Sequence, residues 1–216
     1  MHALRDIIYM MIIIRKEKLL MNKIPVGISG RHAHLTKEHL EILFGSGYEL
    51  TVLKDLSQPG QYAAEEKIDV VSPQGRVLEG VRILGPTRKG TQIEISQSDA
   101  IRYKFVAPVR SSGNTAGSGS AKLVGPKGEV EINEGVIIAD RHIHFSPEDA
   151  KVFGISDKDV VSLKIDGIKA GILDNVLCRV HESFRLDCHL DTDDGAAFML
   201  KNGDTVTLVK KYEILD

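Results

Sequence analysis

Apolar and polar positions alternate in short bursts along most of this chain, and few stretches keep a helical spacing for more than two turns. Ile24, Val26 and Ile28 alternate as a strand, and residues 49–53, 67–72, 76–84, 91–96, 121–124 and 129–132 predict further strands. Pro73-Gln74-Gly75 and Pro126-Lys127-Gly128 mark hairpins, and Leu56-Ser57-Gln58-Pro59-Gly60-Gln61-Tyr62 is a turn rich in hydrogen-bonding groups. Two segments predict short helices instead. Residues 36–44 and 147–153 each follow a hydroxyl N-cap, Thr36 and Ser146, with Glu38 or Glu148 in the first turn and Pro147 at the favoured first position. Later strands are expected at 135–139, 160–165, 168–173, 177–182 and 205–209, with a helix at 192–200. Residues 110–120, rich in Ser and Gly and without periodicity, predict an exposed loop or linker. Long crossover helices, which a parallel layered sheet needs, are missing. The expected fold is mainly β with a few short helices, arranged as two β-barrel-like domains.

A duplication underlies the pair of domains. Arg31-His32-Ala33-His34-Leu35-Thr36-Lys37-Glu38 returns as Arg141-His142-Ile143-His144-Phe145-Ser146-Pro147-Glu148, so a strand-then-helix unit occurs twice. On an extended backbone residues i and i+2 share a face, so each His-x-His aims two imidazoles at one point, as metal ligands do. A catalytic zinc usually takes three protein ligands, so each pair needs another. Glu94, on the polar face of its strand, and His189, beside Cys188, are the candidates, with a solvated carboxylate and a hydrogen-bonded core histidine as the alternatives. Cys188 is either a soft ligand or a small buried thiol. Two metals close together would suit phosphate or carbonyl chemistry. Arg88, in the turn before Glu94, is a candidate phosphate ligand through its planar fork, or else an ordinary surface arginine.

Composition narrows the partners. A formal net charge of -2 argues against a general nucleic-acid binder or a polybasic membrane protein. Only two cysteines, Cys178 and Cys188, are present, too few for a disulfide scaffold, so they are expected as reduced thiols in a cytosolic setting. Residues 1–20 differ from the rest. Their apolar run, 7–14, is too short to span a membrane and is followed by charges where a signal peptide has its cleavage site. This N-terminal extension is either a targeting or docking peptide or a start read too far upstream of Met21.

Several long motifs together carry a family resemblance: Ile24-Pro25-Val26-Gly27-Ile28-Ser29 running into Arg31-His32-Ala33-His34-Leu35, Leu56-Ser57-Gln58-Pro59-Gly60-Gln61-Tyr62-Ala63, and Ala139-Asp140-Arg141-His142-Ile143-His144. In this order the chain resembles the phosphate propanoyltransferases, the PduL-type phosphate acyltransferases or phosphotransacylases, over residues 24–212. The resemblance implies reversible transfer of a short acyl group, propanoyl or acetyl, between coenzyme A and phosphate, with two zinc ions in two β-barrel domains. It implies that His32, His34 and Glu94 hold one metal and that His142, His144 and His189 hold the other. Arg88 matches the phosphate-binding arginine, and Ser29, Lys54, Arg82 and Leu84 match coenzyme A contacts. Ala196 stands where the family usually has asparagine, implying a lost contact to coenzyme A. The expected division is 1–20 as extension, 32–139 as one barrel, and 22–31 plus 140–212 as a discontinuous second barrel. Acyl-coenzyme A and phosphate are the expected partners, with a homo-oligomer, and with microcompartment shell or cargo proteins through the N-terminus. Propanediol degradation in the cytoplasm or inside a bacterial microcompartment is the implied setting, although the apolar run at 7–14 fits an amphipathic targeting peptide poorly. A zinc-dependent thioester or phosphoester hydrolase and a non-catalytic zinc scaffold are the competing readings.

Overall fold

The computed structural model describes residues 23–209, so the N-terminal extension lies outside the described residues. The chain forms two compact units, residues 28–141 with 190–197, and residues 23–27 with 142–189 and 198–209. The sequence division kept 28–31, 140–141 and 190–197 with the second barrel, whereas all three segments cluster with the first. Among the described residues there are fourteen strands and four short helices.

The first unit is a closed ring of six strands. Its members are β2 (His32–His34), β4 (Tyr62–Val71), β5 (Val77–Gly85), β6 (Gln92–Glu94), β8 (Gly119–Val124) and β9 (Glu129–Ala139). β2 lies between β5, parallel, and β6, antiparallel; β6 continues to β9, β9 to β8, and β8 back to β4 beside β5. Two short strands extend the ring, β3 (Val52–Asp55) on β4 and β7 (Val109–Arg110) on β9. Closure removes the unpaired edges that an open sheet would leave. Leu35, Ile68, Val70, Leu78, Val81, Ile83, Ile93 and Leu123 fill the interior.

The second unit closes the same way, in the order β1 (Lys23–Ser29), β13 (Asp187–Asp191), β10 (His142–Phe145), β12 (Gly171–Val180), β11 (Val160–Ile165) and β14 (Thr205–Val209). Its pairings repeat those of the first: β10 runs parallel to β12 and antiparallel to β13, as β2 does to β5 and β6. Each strand bearing a His-x-His pair is followed by a helix, α1 (Lys37–Phe44) or α3 (Pro147–Phe153), and the strands bearing Glu94 and His189 by another, α2 (Gln97–Tyr103) or α4 (Thr192–Phe198). The expected mainly β, duplicated, two-barrel architecture is the one observed.

Local chemistry explains these boundaries. Thr36 Oγ1 accepts from His39 N at 3.1 Å to start α1, and Ser146 and Asp149 form a capping box that starts α3. Helix α2 was not expected from apolar spacing because only Ala100 on it is buried. The separate strands predicted at 129–132 and 135–139 are one strand, β9, running through Gly135 at φ 134°, where an added Cβ would stand 2.8 Å from Thr91 O. Likewise the strands predicted at 168–173 and 177–182 are a single β12. Within the second ring, Ile143 is fully buried and faces Cys178 on one neighbour and Cys188 on the other. The two thiols are therefore two strand spacings apart, roughly 9–10 Å, beyond disulfide reach. Burial, then the charge of Asp159, pushes Cys178 up to about 12, so it stays a thiol. Truncating Ile143 to alanine would cost about 2–5 kcal/mol.

Candidate metal centres

Because Ala33 and Leu35 point into the core, His32 and His34 share the other face of β2. Antiparallel register sets Glu94 directly opposite His32. The three side chains converge, with Glu94 Oε2 3.4 Å from His32 Nε2 and Oε1 3.9 Å from His34 Nε2. Both Nε2 atoms point at the Glu94 carboxylate, and the opposite nitrogens are committed. His32 Nδ1 donates to Gly30 O at 2.9 Å and His34 Nδ1 to Leu84 O at 3.2 Å, which fixes the tautomers. Donors about 2.1 Å from a tetrahedral ion stand roughly 3.4 Å apart, so this spacing fits a divalent cation with a mixed nitrogen and carboxylate set.

A polar chain continues outward from Glu94. Gln92 Nε2 donates to Glu94 Oε1 at 2.6 Å and Ser112 Oγ donates to the same oxygen at 2.9 Å. Arg88 Nη1 in turn reaches Ser112 Oγ at 3.3 Å, and the Arg88 backbone is tied to Leu35 O at 2.8 Å. The electrostatics follow from this crowding. Burial works to deprotonate His32, but the charge and hydrogen bond of Glu94 outweigh it and raise its pKa. His34 is pushed down to about 3 by burial, then by the charges of His32 and Arg88. Glu94 is held well below the usual carboxylate range because the His32 and His34 contacts and the Ser112 hydrogen bond overcome the opposing effect of burial.

In the second unit the same register brings His142 on β10 opposite His189 on β13. Ring centroids of His142, His144 and His189 lie 4.7–5.1 Å apart, and each can turn one nitrogen toward the others. His189 Nε2 lies 3.1 Å from Asp187 Oδ2. His144 Nδ1 is the one buried side-chain polar atom among the described residues without a hydrogen-bond partner, which suits an imidazole whose role is coordination. Burial and then the charges of His142, His189 and Arg179 push His144 down to about 2, so it is neutral and ligand-ready at pH 7. Phe184 packs against the His144 ring at 4.2 Å, and the Arg179 guanidinium lies 5.6 Å from the Phe184 ring. Three imidazoles are a donor set that zinc accepts.

Each duplicated arginine clamps the start of a helix. Arg31 Nε lies 3.4 Å from Asp99 in the first turn of α2, while Arg141 makes two 2.8 Å bonds to Asp194 in the first turn of α4. Of the residues matched to coenzyme A, Ser29 Oγ lies 3.3 Å from His32 Nδ1, and Leu84 supplies the carbonyl that orients His34. Arg82 pairs with His32 in register and donates to Ala64 O, and Lys54 is exposed on β3. Ala196 is exposed on α4. Cys188 is fully buried and stands outside both donor groups. Sequence reading places Gln92 on the strand face of Glu94 without giving it a role, and it misses Ser112 and Asp187. Ser112 sits in the loop read as a linker, and strand register sets Gln92 and Asp187 opposite His34 and His144.

No helix among the described residues is long and apolar enough to cross a membrane. A family model for phosphate propanoyltransferase matches residues 25–201. A Thermotoga maritima protein named phosphate propanoyltransferase is 48% identical over 211 residues, covering 97% of each chain. Proteins of the same name from Lachnoclostridium phytofermentans and Listeria monocytogenes are 48% and 42% identical, covering 86% and 92% of this chain and 87% and 92% of their own. With a family match over most of its length and relatives this similar across nearly whole chains, the protein belongs to the phosphate propanoyltransferase family of acyltransferases.

Proposed function

We propose that this chain reversibly converts a short-chain acyl-coenzyme A, propanoyl or acetyl, and inorganic phosphate into acyl phosphate and coenzyme A. The observation that carries the reading is the hydrogen-bonded line from Arg88 through Ser112 to Glu94, which keeps a guanidinium beside a buried metal-type triad. His32, His34 and Glu94 would hold one zinc ion, and His142, His144 and His189 a second. When bound, zinc supplies Lewis acidity toward phosphate and carbonyl oxygens.

The chain's own residues do the rest. Arg88 binds phosphate through two parallel N–H donors and aims one oxygen at the thioester carbonyl carbon. That oxygen forms the new C–O bond as the C–S bond breaks, and coenzyme A leaves as a thiolate, which needs little help from a general acid. Arg88 also offsets charge on the carbonyl oxygen as the bond forms. No side-chain nucleophile is needed. Ser29, Lys54, Arg82 and Leu84 are assigned to coenzyme A, and Ala196 is expected to weaken that binding.

The test supplies propanoyl- or acetyl-coenzyme A with and without phosphate and follows thiol and acyl phosphate together. Equal, phosphate-dependent formation of both supports the proposal. Thiol release with free acid and no need for phosphate would identify a hydrolase, and no release would identify a scaffold.

A further inference from the structure

Register places a buried polar side chain two residues before each third ligand. His34 faces Gln92 across β2 and β6, and His144 faces Asp187 across β10 and β13. Both side chains are nearly sealed from solvent, at 2% and 6% exposure. Residues i and i+2 share a strand face, so Gln92 lies beside Glu94 and Asp187 beside His189.

The chemistry of the two neighbours is opposite and matched. Gln92 Oε1 accepts from Gly113 N at 2.7 Å, so its amide nitrogen is the end that faces Glu94. With Gln92 and Ser112 both donating to Glu94 Oε1, the other oxygen, Oε2, is left toward His32. Asp187, a carboxylate, only accepts, so the contact at 3.1 Å puts the His189 proton on Nε2 and frees Nδ1 as the ligating atom. Gly27 keeps the space for this carboxylate, since a Cβ there would come within 3.2 Å of Asp187 Oδ2.

We propose that Gln92 and Asp187 are a matched pair of positioning residues, a donor for the carboxylate ligand Glu94 and an acceptor for the imidazole ligand His189, each selecting the atom that its neighbour presents to the metal. The inference rests on the metal-binding reading above. Neither residue touches substrate; both act through a ligand.

The experiment measures stepwise zinc affinity of the full-length protein by chelator competition, with the visible spectrum of the cobalt-loaded protein as a report on ligand geometry. Wild type is expected to take two ions. Asp187→Ala should weaken one of them by about 10–100-fold and shift its cobalt spectrum while leaving the other ion in place, and Gln92→Leu should do the same to the other. Asp187→Asn, which keeps an accepting oxygen, should recover most of the loss. Should either truncation fail to fold, the isosteric Gln92→Glu and the crowding Gly27→Ala decide, each expected to weaken one ion by tenfold or more. Wild type that takes no metal overturns the metal-binding reading itself. Wild type that takes two ions, with variants that bind both as tightly and with unchanged spectra, overturns this inference alone.

Discussion

His32, His34 and Glu94 in the first barrel and His142, His144 and His189 in the second occupy the same register positions, yet one triad carries an anion and the other is all imidazole. The surroundings differ in the same sense. Glu94 is fed by donors from Gln92 and Ser112, with Arg88 behind them, whereas His189 is backed by the acceptor Asp187 and His144 is walled by Phe184. Duplicated backbones thus fix where the proposed ligands stand, and single side chains beside them set the charge each triad offers. An anionic centre next to a guanidinium suits phosphate held by Arg88, while the all-imidazole centre leaves more of a bound ion's charge uncancelled.

The largest expected break in this comparison comes at Arg88, whose guanidinium reaches Ser112 beside the first triad. Arg88→Ala should lower phosphate-dependent turnover by at least about 100-fold, near 3 kcal/mol, with partial recovery in Arg88→Lys, as read by phosphate titration of acyl phosphate formation. Turnover and phosphate dependence unchanged in Arg88→Ala would remove it from the site.

Next come the proposed ligands. Glu94→Gln and His189→Gln should each cost one of two zinc ions, with affinity down by about 100-fold or more at that centre, measured by metal analysis after dialysis against a weak chelator. Loss of both ions from either variant would contradict independent centres.

The metal-free protein should show the difference as a pH effect. His34 and His144 are held far below their ordinary value, so as pH falls below about 6.5 the unfolded chain binds protons that the folded chain does not, and stability drops by about 1.4 kcal/mol per pH unit for each. His32 acts with the opposite sign: its raised pKa contributes stability that is complete below about 6.5 and lost as pH rises through the folded value. Urea unfolding at pH 6.5 and 5.5 tests the slope, and His144→Gln should make it shallower.

The smallest effect separates the two arginine clamps. Arg141→Ala removes a two-pronged 2.8 Å pair and should cost about 1 kcal/mol, whereas Arg31→Ala removes one contact at 3.4 Å and should cost about 0.5 kcal/mol or less by thermal unfolding.

The sequence makes the histidine pairs legible because a period of two is written directly in His-x-His, and the repeat gives each pair a twin. It does not distinguish Glu94 from a solvated strand carboxylate, since what buries it is its pairing with β2, some sixty residues away in the chain. Helix α2 leaves no apolar stripe, although Ser96 followed by Asp99 is a capping pattern that marks its start. Ser112 is invisible for a different reason: a Ser/Gly loop has no periodicity, and only the folded chain brings its hydroxyl to Glu94.

The most direct test of the central claim is a phosphorus NMR time course with zinc-loaded, full-length protein, propanoyl-coenzyme A and phosphate, repeated after metal removal. Acyl phosphate should grow in step with free thiol, stop when the metal is stripped, and return when zinc is restored. Thiol release without any acyl phosphate signal, or full acyl phosphate formation by the stripped protein, would contradict the account.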